Sequence, residues 1–479
     1  MGAIAFSVVL AQVTAFTSVT VIDGTDPRPR PEQTVVVRGS RIVAVGPVAS
    51  TPIPPGARVV SGAGKYLIPG LWDMHVHLTV PAGRAALALY VANGVTGVRA
   101  MGDDWPVLAA WRQEIASGAL VGPRIVASGP YLEGGDVPIP HLVVRTPEEA
   151  DQAVDSLARL GVDFVKLHSQ LSREAYFAAL RAARTRGFQV AGHVPRSVTA
   201  REASDSGLSS LEHLLQVPTP CTPAESVALV PRFPVQGVLG RCTAEDLAPL
   251  WARFAANGTR VVPTLTAAYE VASWPRRELP GDSVAAYLPD TLRRYVAAIF
   301  PMPDSIPAGA DSVGLALYRK RVALVGAMYR AGVGVLAGTD APLRNSPPGF
   351  GLHRELALLA EAGLTPFEVL RAATLDAARF LGLADSLGTI APGQLADLVL
   401  LSEDPLADVR HTRAIAMVMA AGRLFDAAQR ERLLQPAEGR REGHGARPRR
   451  PALYRAGPAR DSVGLARGAI SPTAGSVRR

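Results

Sequence analysis

The stretch "LIPGLWDMHVHL", residues 67–78, decides the fold. Pro69 and Gly70 punctuate a turn, and the run after them alternates in the manner of a strand. Alternate strand side chains face opposite ways, so Trp72, Met74, Val76 and Leu78 share one apolar face while Asp73, His75 and His77 share the other. Two imidazoles two residues apart on one strand point the same way, as two ligands of one metal must. A strand end carrying two solvated histidines has the same local sequence, and the rest of the chain separates the two cases.

From residue 67 to 384, short apolar segments alternate with helical ones, the pattern of parallel βα units. Strands are predicted near 71–78, 95–101, 123–128, 162–168, 188–193, 208–213, 259–265 and 333–340, with helices between them, such as 148–160 and 172–186. Such a series predicts an α/β chain whose central domain, 67–384, is a (β/α)8 TIM-like barrel. Residues 13–66 and 385–430 alternate as strands and are expected to form one small β-sandwich domain from both ends of the chain. The Pro-rich segment Val217–Cys242 and an insertion over about 270–312 follow barrel strands, where walls of a catalytic face belong.

The chain has 479 residues, enough for a barrel of about 250 plus an accessory domain. No apolar run reaches the roughly 20 residues needed to span a bilayer. Of the net charge of +8, residues 436–479 supply +7, from ten Arg against Glu438, Glu442 and Asp461. The remainder is near neutral, which excludes a broad nucleic-acid surface, and the Gly-, Pro- and Arg-rich tail is expected to be disordered. Residues 1–12, "MGAIAFSVVLAQ", read either as the end of a secretory signal peptide, predicting a periplasmic or secreted protein, or as an N-terminal strand of a cytoplasmic one. Cys221 and Cys242, the only cysteines, would form a disulfide across the Pro-rich loop in an exported protein and stay thiols otherwise.

The polar residues at the predicted strand ends are the chemical signal. His75 and His77 end the first strand, Lys166 lies in "VDFVKLHS", His193 ends "FQVAGHV", His213 ends "LSSLEHLL" and Asp340 ends "VGVLAGTDAP". In a barrel these ends converge on one mouth. Lys166 is one of three lysines among 47 arginines (Lys65 and Lys320 are the others). An ammonium beside divalent cations is repelled, so Lys166 must be neutral or modified there. A neutral lysine can add carbon dioxide to give a carbamate, an anionic two-oxygen ligand able to bridge two metals.

These pieces, together with "GVTGVRAMG", "GPRIVASGPYLEGGD" and "TPFEVLRAATLDAARFLGLADSLGTIAPGQLADLVLL", resemble the amidohydrolase superfamily, in its imidazolonepropionase-like and metal-dependent dipeptidase (prolidase-like) branch. The resemblance covers roughly residues 16–430 and implies a barrel with a β-sandwich from both termini. It implies that His75, His77 and Asp340 hold one metal, that His193 and His213 hold a second, and that N6-carboxylated Lys166 bridges two divalent ions, zinc by default. Ala100 stands where relatives often carry aspartate, which puts the local polarity beside strand two in doubt but not the ligands.

The function expected on these grounds is hydrolysis of an amide C–N bond, in a dipeptide (Xaa-Pro or similar) or a small cyclic amide. Two metals about 3.5–4 Å apart can share a water and hold it as hydroxide at neutral pH. Asp340 is the expected catalytic proton acceptor, and Asp73 a support behind the site. Tyr131, His168, Arg196, Tyr269 and Arg344 are the candidate substrate contacts, each with a structural role as its alternative. Residues 352–359, including His353, are at helical spacing and are expected in the core. The alternatives are a mononuclear cyclic-amide hydrolase or deaminase of the imidazolonepropionase type, a non-catalytic scaffold, and a metal-binding or transport module. Assembly as a homo-oligomer is left open.

Overall fold

A computed structural model describes residues 12–137, 139–214, 243–273, 282–299, 310–344 and 346–435. Along the chain come β1 (Val13–Val21), β2 (Arg30–Arg38), β3 (Arg41–Pro47), β4 (Arg58–Ser61) and β5 (Tyr66–Pro69). The central strands are β6 (Leu71–Val76), β7 (Val95–Ala100), β8 (Arg124–Ala127), β9 (Tyr131–Glu133), β10 (His141–Val143), β11 (Val165–Leu167), β12 (Val190–Gly192), β13 (Ser210–Glu212) and β14 (Arg260–Val262). Last come β15 (Leu398–Leu401), β16 (Ile415–Ala420) and β17 (Arg423–Phe425).

Strands from both ends of the chain share one eight-stranded sheet, ordered β17-β16-β15-β5-β1-β2-β3 with β4 against β1. β5 joins the two ends, running antiparallel to β15 and parallel to β1. Phe16, Val35, Val37, Leu67, Leu398 and Leu400 form part of its core, as the period-two apolar pattern requires.

The central strands form two parallel sheets, β6-β7-β8 and β10-β9-β11-β12-β13-β14. Helices fill most intervals between them. The helix Pro147–Leu160 starts on a Thr146–Glu149 capping box, stops at Gly161 and buries Ala150, Ala153, Val154 and Leu157. Segment 334–341 touches both sheets: Val335 pairs with Val261 and Ala341 with Val76, each in parallel sense. The Leu336 N–H donates to the Val261 carbonyl at 2.9 Å, and the Met74 N–H donates to the Ala337 carbonyl at 2.9 Å. Only a glycine allows this approach at residue 338, where a Cβ would lie 2.5 Å from Val262 Cγ1 and 2.9 Å from the His75 nitrogen. At the other flank, the Asp163 N–H donates to the Ala127 carbonyl at 2.9 Å.

Seven of the predicted central strands are present in shortened form, and 333–340 is bridged backbone without a continuous ladder. β9 and β10 were not foreseen. β6 also differs from the expected one-sided pattern, since every residue from Leu71 to Val76 is buried. Trp72 and Met74 pack with Val262 and Leu336, while Val76 joins the main core. A parallel strand covered on both faces has no solvent side. His353 is in the core as expected, its ring bonded to Thr412 Oγ1 and the Asn93 carbonyl, both at 3.0 Å.

Residues 1–11, the Val217–Cys242 segment with both cysteines, parts of the second insertion and the tail 436–479 lie outside the described residues. Among the described residues, no helix is long and apolar enough to cross a membrane.

Candidate metal centre

Each candidate ligand sits in or just beyond a central strand: His75 in β6, His77 one residue past it, Lys166 in β11, and His193 and His213 directly after β12 and β13. Asp340 follows the bridged segment, and its N–H donates to the His75 carbonyl at 2.7 Å. One donor atom from each of His75, His77 and Asp340 lies within 4.8 Å of the other two. Asp340 Oδ1 is 3.2 Å from His77 Nε2 and 3.4 Å from His75 Nε2. His75 is fully buried and its Nε2 has no hydrogen-bond partner. A buried orphan ring nitrogen facing a carboxylate and a second imidazole is a donor set that suits a divalent cation such as zinc.

His193 and His213 are not in that close triad but continue it. The His75 and His213 ring centroids are 4.5 Å apart, those of His213 and His193 4.9 Å, and those of His193 and His168 4.2 Å. The His193 Nδ1 pairs with Ser169 Oγ and the His213 Nδ1 with Thr264 Oγ1, both at 2.7 Å, which leaves their Nε2 atoms for other partners. His213 and Asp340 both have left-handed backbone, with φ of 62° and 63°. Such conformations in non-glycine residues cost free energy and gather at functional sites.

Behind His75 stands a charged cluster that strand alternation does not predict. Glu212 Oε2 is 2.7 Å from His75 Nδ1, and Glu212 Oε1 accepts from Arg99 Nη2 at 2.8 Å and from Ser210 Oγ at 2.6 Å. Asp73, expected as a support behind the site, accepts from the Thr339 N–H at 3.0 Å and the Thr339 hydroxyl at 2.7 Å. Asp103 was also missed. Its Oδ1 accepts from the N–H groups of Leu78 and Thr79, at 2.8 and 2.6 Å, and fixes the chain as it leaves the site.

Burial, then the nearby Lys166 and His213, hold the His75 imidazole well below its ordinary pKa. Burial likewise pushes His213 down to about 4 and lowers His193 well below normal. Burial thus favours the neutral ring, the state in which imidazole donates a lone pair. Burial alone would raise the Asp340 pKa, but His213 and the bond from His77 outweigh it and keep the carboxylate ionised. Lys166 is 1% exposed, and burial depresses its amine to about 8. The Glu212 and Asp340 carboxylates oppose that effect only partly.

The five candidate substrate contacts divide. Tyr131 is buried with an unpartnered hydroxyl and stacks on His168 at 4.6 Å, while the His168 Nδ1 pairs with buried Glu133. These two flank the imidazole row. Tyr269 packs under the Arg354 guanidinium, 4.3 Å from its ring centroid, and against Tyr318. Arg344 Nε lies 3.8 Å from Glu270. Arg196 is exposed beyond β12.

A family profile places the chain, and three proteins resemble it. The sequence profile described as the amidohydrolase family matches residues 66–425. The adenine deaminase of Paracoccus denitrificans is 34% identical over 92 residues, only 15% of this chain and 15% of that protein. The imidazolonepropionase of Symbiobacterium thermophilum is 26% identical over 413 residues, covering 78% of this chain and 84% of that protein. In structure, a candidate prolidase from Bifidobacterium longum superposes with a TM-score of 0.65 at 26% identity, over 89% of this chain and 98% of its own. With three quarters of its length inside the family profile and its buried histidines and aspartate drawn together at the strand ends, the chain belongs to the amidohydrolase family.

Proposed function

We propose that the chain is a metal-dependent hydrolase of amide C–N bonds, acting on dipeptides or similar small amides at a two-metal site. In this proposal the two parallel sheets and segment 334–341 form one TIM-like barrel, with the sheet from both chain ends as its accessory β-sandwich. His75, His77 and Asp340 hold one ion, His193 and His213 a second, and Lys166, as N6-carboxylysine, joins them. The observation that carries the two-metal form is Lys166: an amine almost wholly buried and depressed to about 8 in spite of the Glu212 and Asp340 carboxylates. Burying an ammonium is expensive, whereas a neutral amine is the species that takes up carbon dioxide.

When bound, the ions supply a water acidified to near-neutral pKa and a polarised substrate carbonyl. The chain's own residues do the rest. Asp340, ionised and reached by His77, accepts the proton of the attacking water and returns it to the leaving amine. Tyr131 and His168 form a stacked polar wall for substrate at the edge of the imidazole row. Glu133, paired with the His168 Nδ1, holds that ring in its stack on Tyr131.

A mononuclear cyclic-amide hydrolase is the second reading, favoured by the compactness of the His75–His77–Asp340 triad and by the long match to an imidazolonepropionase. A panel of Xaa-Pro and other dipeptides, run beside cyclic amides on zinc-loaded protein, separates the two. Turnover of dipeptides supports the proposal; turnover of cyclic amides alone supports the second reading.

A further inference from the structure

We infer that Glu212, fixed by Arg99 and Ser210, is a positioning residue that holds His75 as its Nδ1–H tautomer, so that Nε2 presents a bare lone pair toward His77 and Asp340. The inference rests on the reading of that site as a metal centre. A neutral imidazole carries one proton, and its position follows from what each nitrogen faces. Nδ1 stands 2.7 Å from Glu212 Oε2, a carboxylate that only accepts. Two bare lone pairs at that separation would repel, so the proton belongs on Nδ1. Nε2 is 3.4 Å from Asp340 Oδ1 and makes no hydrogen bond, so a proton there would be buried and unpaired.

The division of the Glu212 oxygens is fixed from behind. Oε1 is taken by Arg99 Nη2 at 2.8 Å and by Ser210 Oγ at 2.6 Å, which leaves Oε2 for the imidazole. Arg99 also donates from Nη1 to Ser210 Oγ at 2.9 Å and from Nε to the carbonyl of Met74, the residue before His75, at 2.7 Å. Its guanidinium carbon lies 5.5 Å from the Phe164 ring centroid and 5.3 Å from that of Phe380. His75, Arg99, Ser210 and Glu212 are each 1% exposed or less. A buried ion pair of this kind is a weak source of stability, because apolar replacements of similar volume often do as well. What apolar residues could not supply is an acceptor aimed at one nitrogen of His75.

Glu212→Gln is the informative change. Arg99 and Ser210 still need an acceptor, so the amide oxygen turns to them and its NH2 faces Nδ1. That arrangement moves the imidazole proton to Nε2, the atom facing the site. In protein with 15N-labelled histidine, stripped of metal, a long-range proton–nitrogen spectrum reads the tautomer; the His75 signals are those lost in His75→Asn. Wild type is expected to carry its proton on Nδ1, and a proton on Nε2 overturns the inference. E212Q is expected to show the reversed tautomer and to bind zinc about 10–100-fold more weakly in competition with a chromophoric chelator. Unchanged tautomer and affinity in folded E212Q overturn it equally.

Should E212Q fail to fold because Arg99 is left without its counterion, Arg99→Met with Glu212→Gln removes both charges. The amide oxygen is then free to face His75 while its NH2 bonds Ser210. That double variant is expected to keep the proton on Nδ1 and zinc affinity within about tenfold of wild type. A proton on Nε2 together with wild-type zinc affinity overturns the inference. Wild type that binds no zinc defeats the metal reading of the site, and the wild-type tautomer still decides the role of Glu212.

Discussion

His77 Nε2 and Asp340 Oδ1 lie 3.2 Å apart, and His75 Nε2 reaches the same oxygen at 3.4 Å. The carboxylate comes from the end of segment 334–341 and the imidazoles from β6 and the residue after it, so the backbone bridge between Val76 and Ala341 sets this contact. Asp340 therefore stands where it can serve both as ligand and as proton acceptor.

Asp340→Asn should fold, because the side chain keeps its shape and the backbone bond from residue 340 to the His75 carbonyl is untouched. It removes the negative charge and the proton acceptor together, so kcat on the best substrate of the amide panel should fall by at least about 10²-fold. Near-normal turnover in metal-loaded D340N protein would assign the proton transfer to another group.

Lys166→Ala should lose much of the bound metal, and short carboxylic acids should restore part of the activity by entering the vacated space. Lys166→Arg should not rescue, since a guanidinium stays cationic and forms no carbamate. Intact activity and metal content in Lys166→Ala would remove the lysine from the site.

A pH test isolates the same residue in metal-free, carbonate-free protein. The unfolded lysine keeps its proton to about 10.5, whereas the folded one releases it near 8. Between these values the unfolded state binds more protons, so stability rises with pH across that window, and the cost of the buried charge is fully felt below it. Lys166→Met should therefore be more stable than wild type by up to about 3 kcal/mol below pH 8, with the gap closing toward pH 10.5. Urea unfolding across the range checks this, and a pH-independent gap contradicts it.

The ligand candidates were legible because each is a polar residue closing an apolar run: the βα rhythm alone places His75, His77, His193, His213 and Asp340 at one end of the strands. Glu212 was not, because strict alternation turns it away from its neighbour His213. The left-handed backbone at His213 breaks that alternation and lets both residues serve one site. Arg99 carried a usable signal, a lone charge inside the apolar run "GVTGVRAMG", since a charge in a fully buried strand must find a buried partner. β9 and β10 were hidden because three-residue strands leave no periodicity to read. Tyr269 and Arg344 could not be sorted from sequence, because their contacts with Arg354 and Glu270 depend on how helices and loops pack.

Metal counting on purified, active protein tests most directly whether a two-metal site is built around Lys166. Elemental analysis against protein concentration should find two equivalents of a divalent metal, zinc by default, in wild type and a marked loss in Lys166→Ala. A single tightly held equivalent at full activity, with Lys166→Ala unchanged, would contradict it.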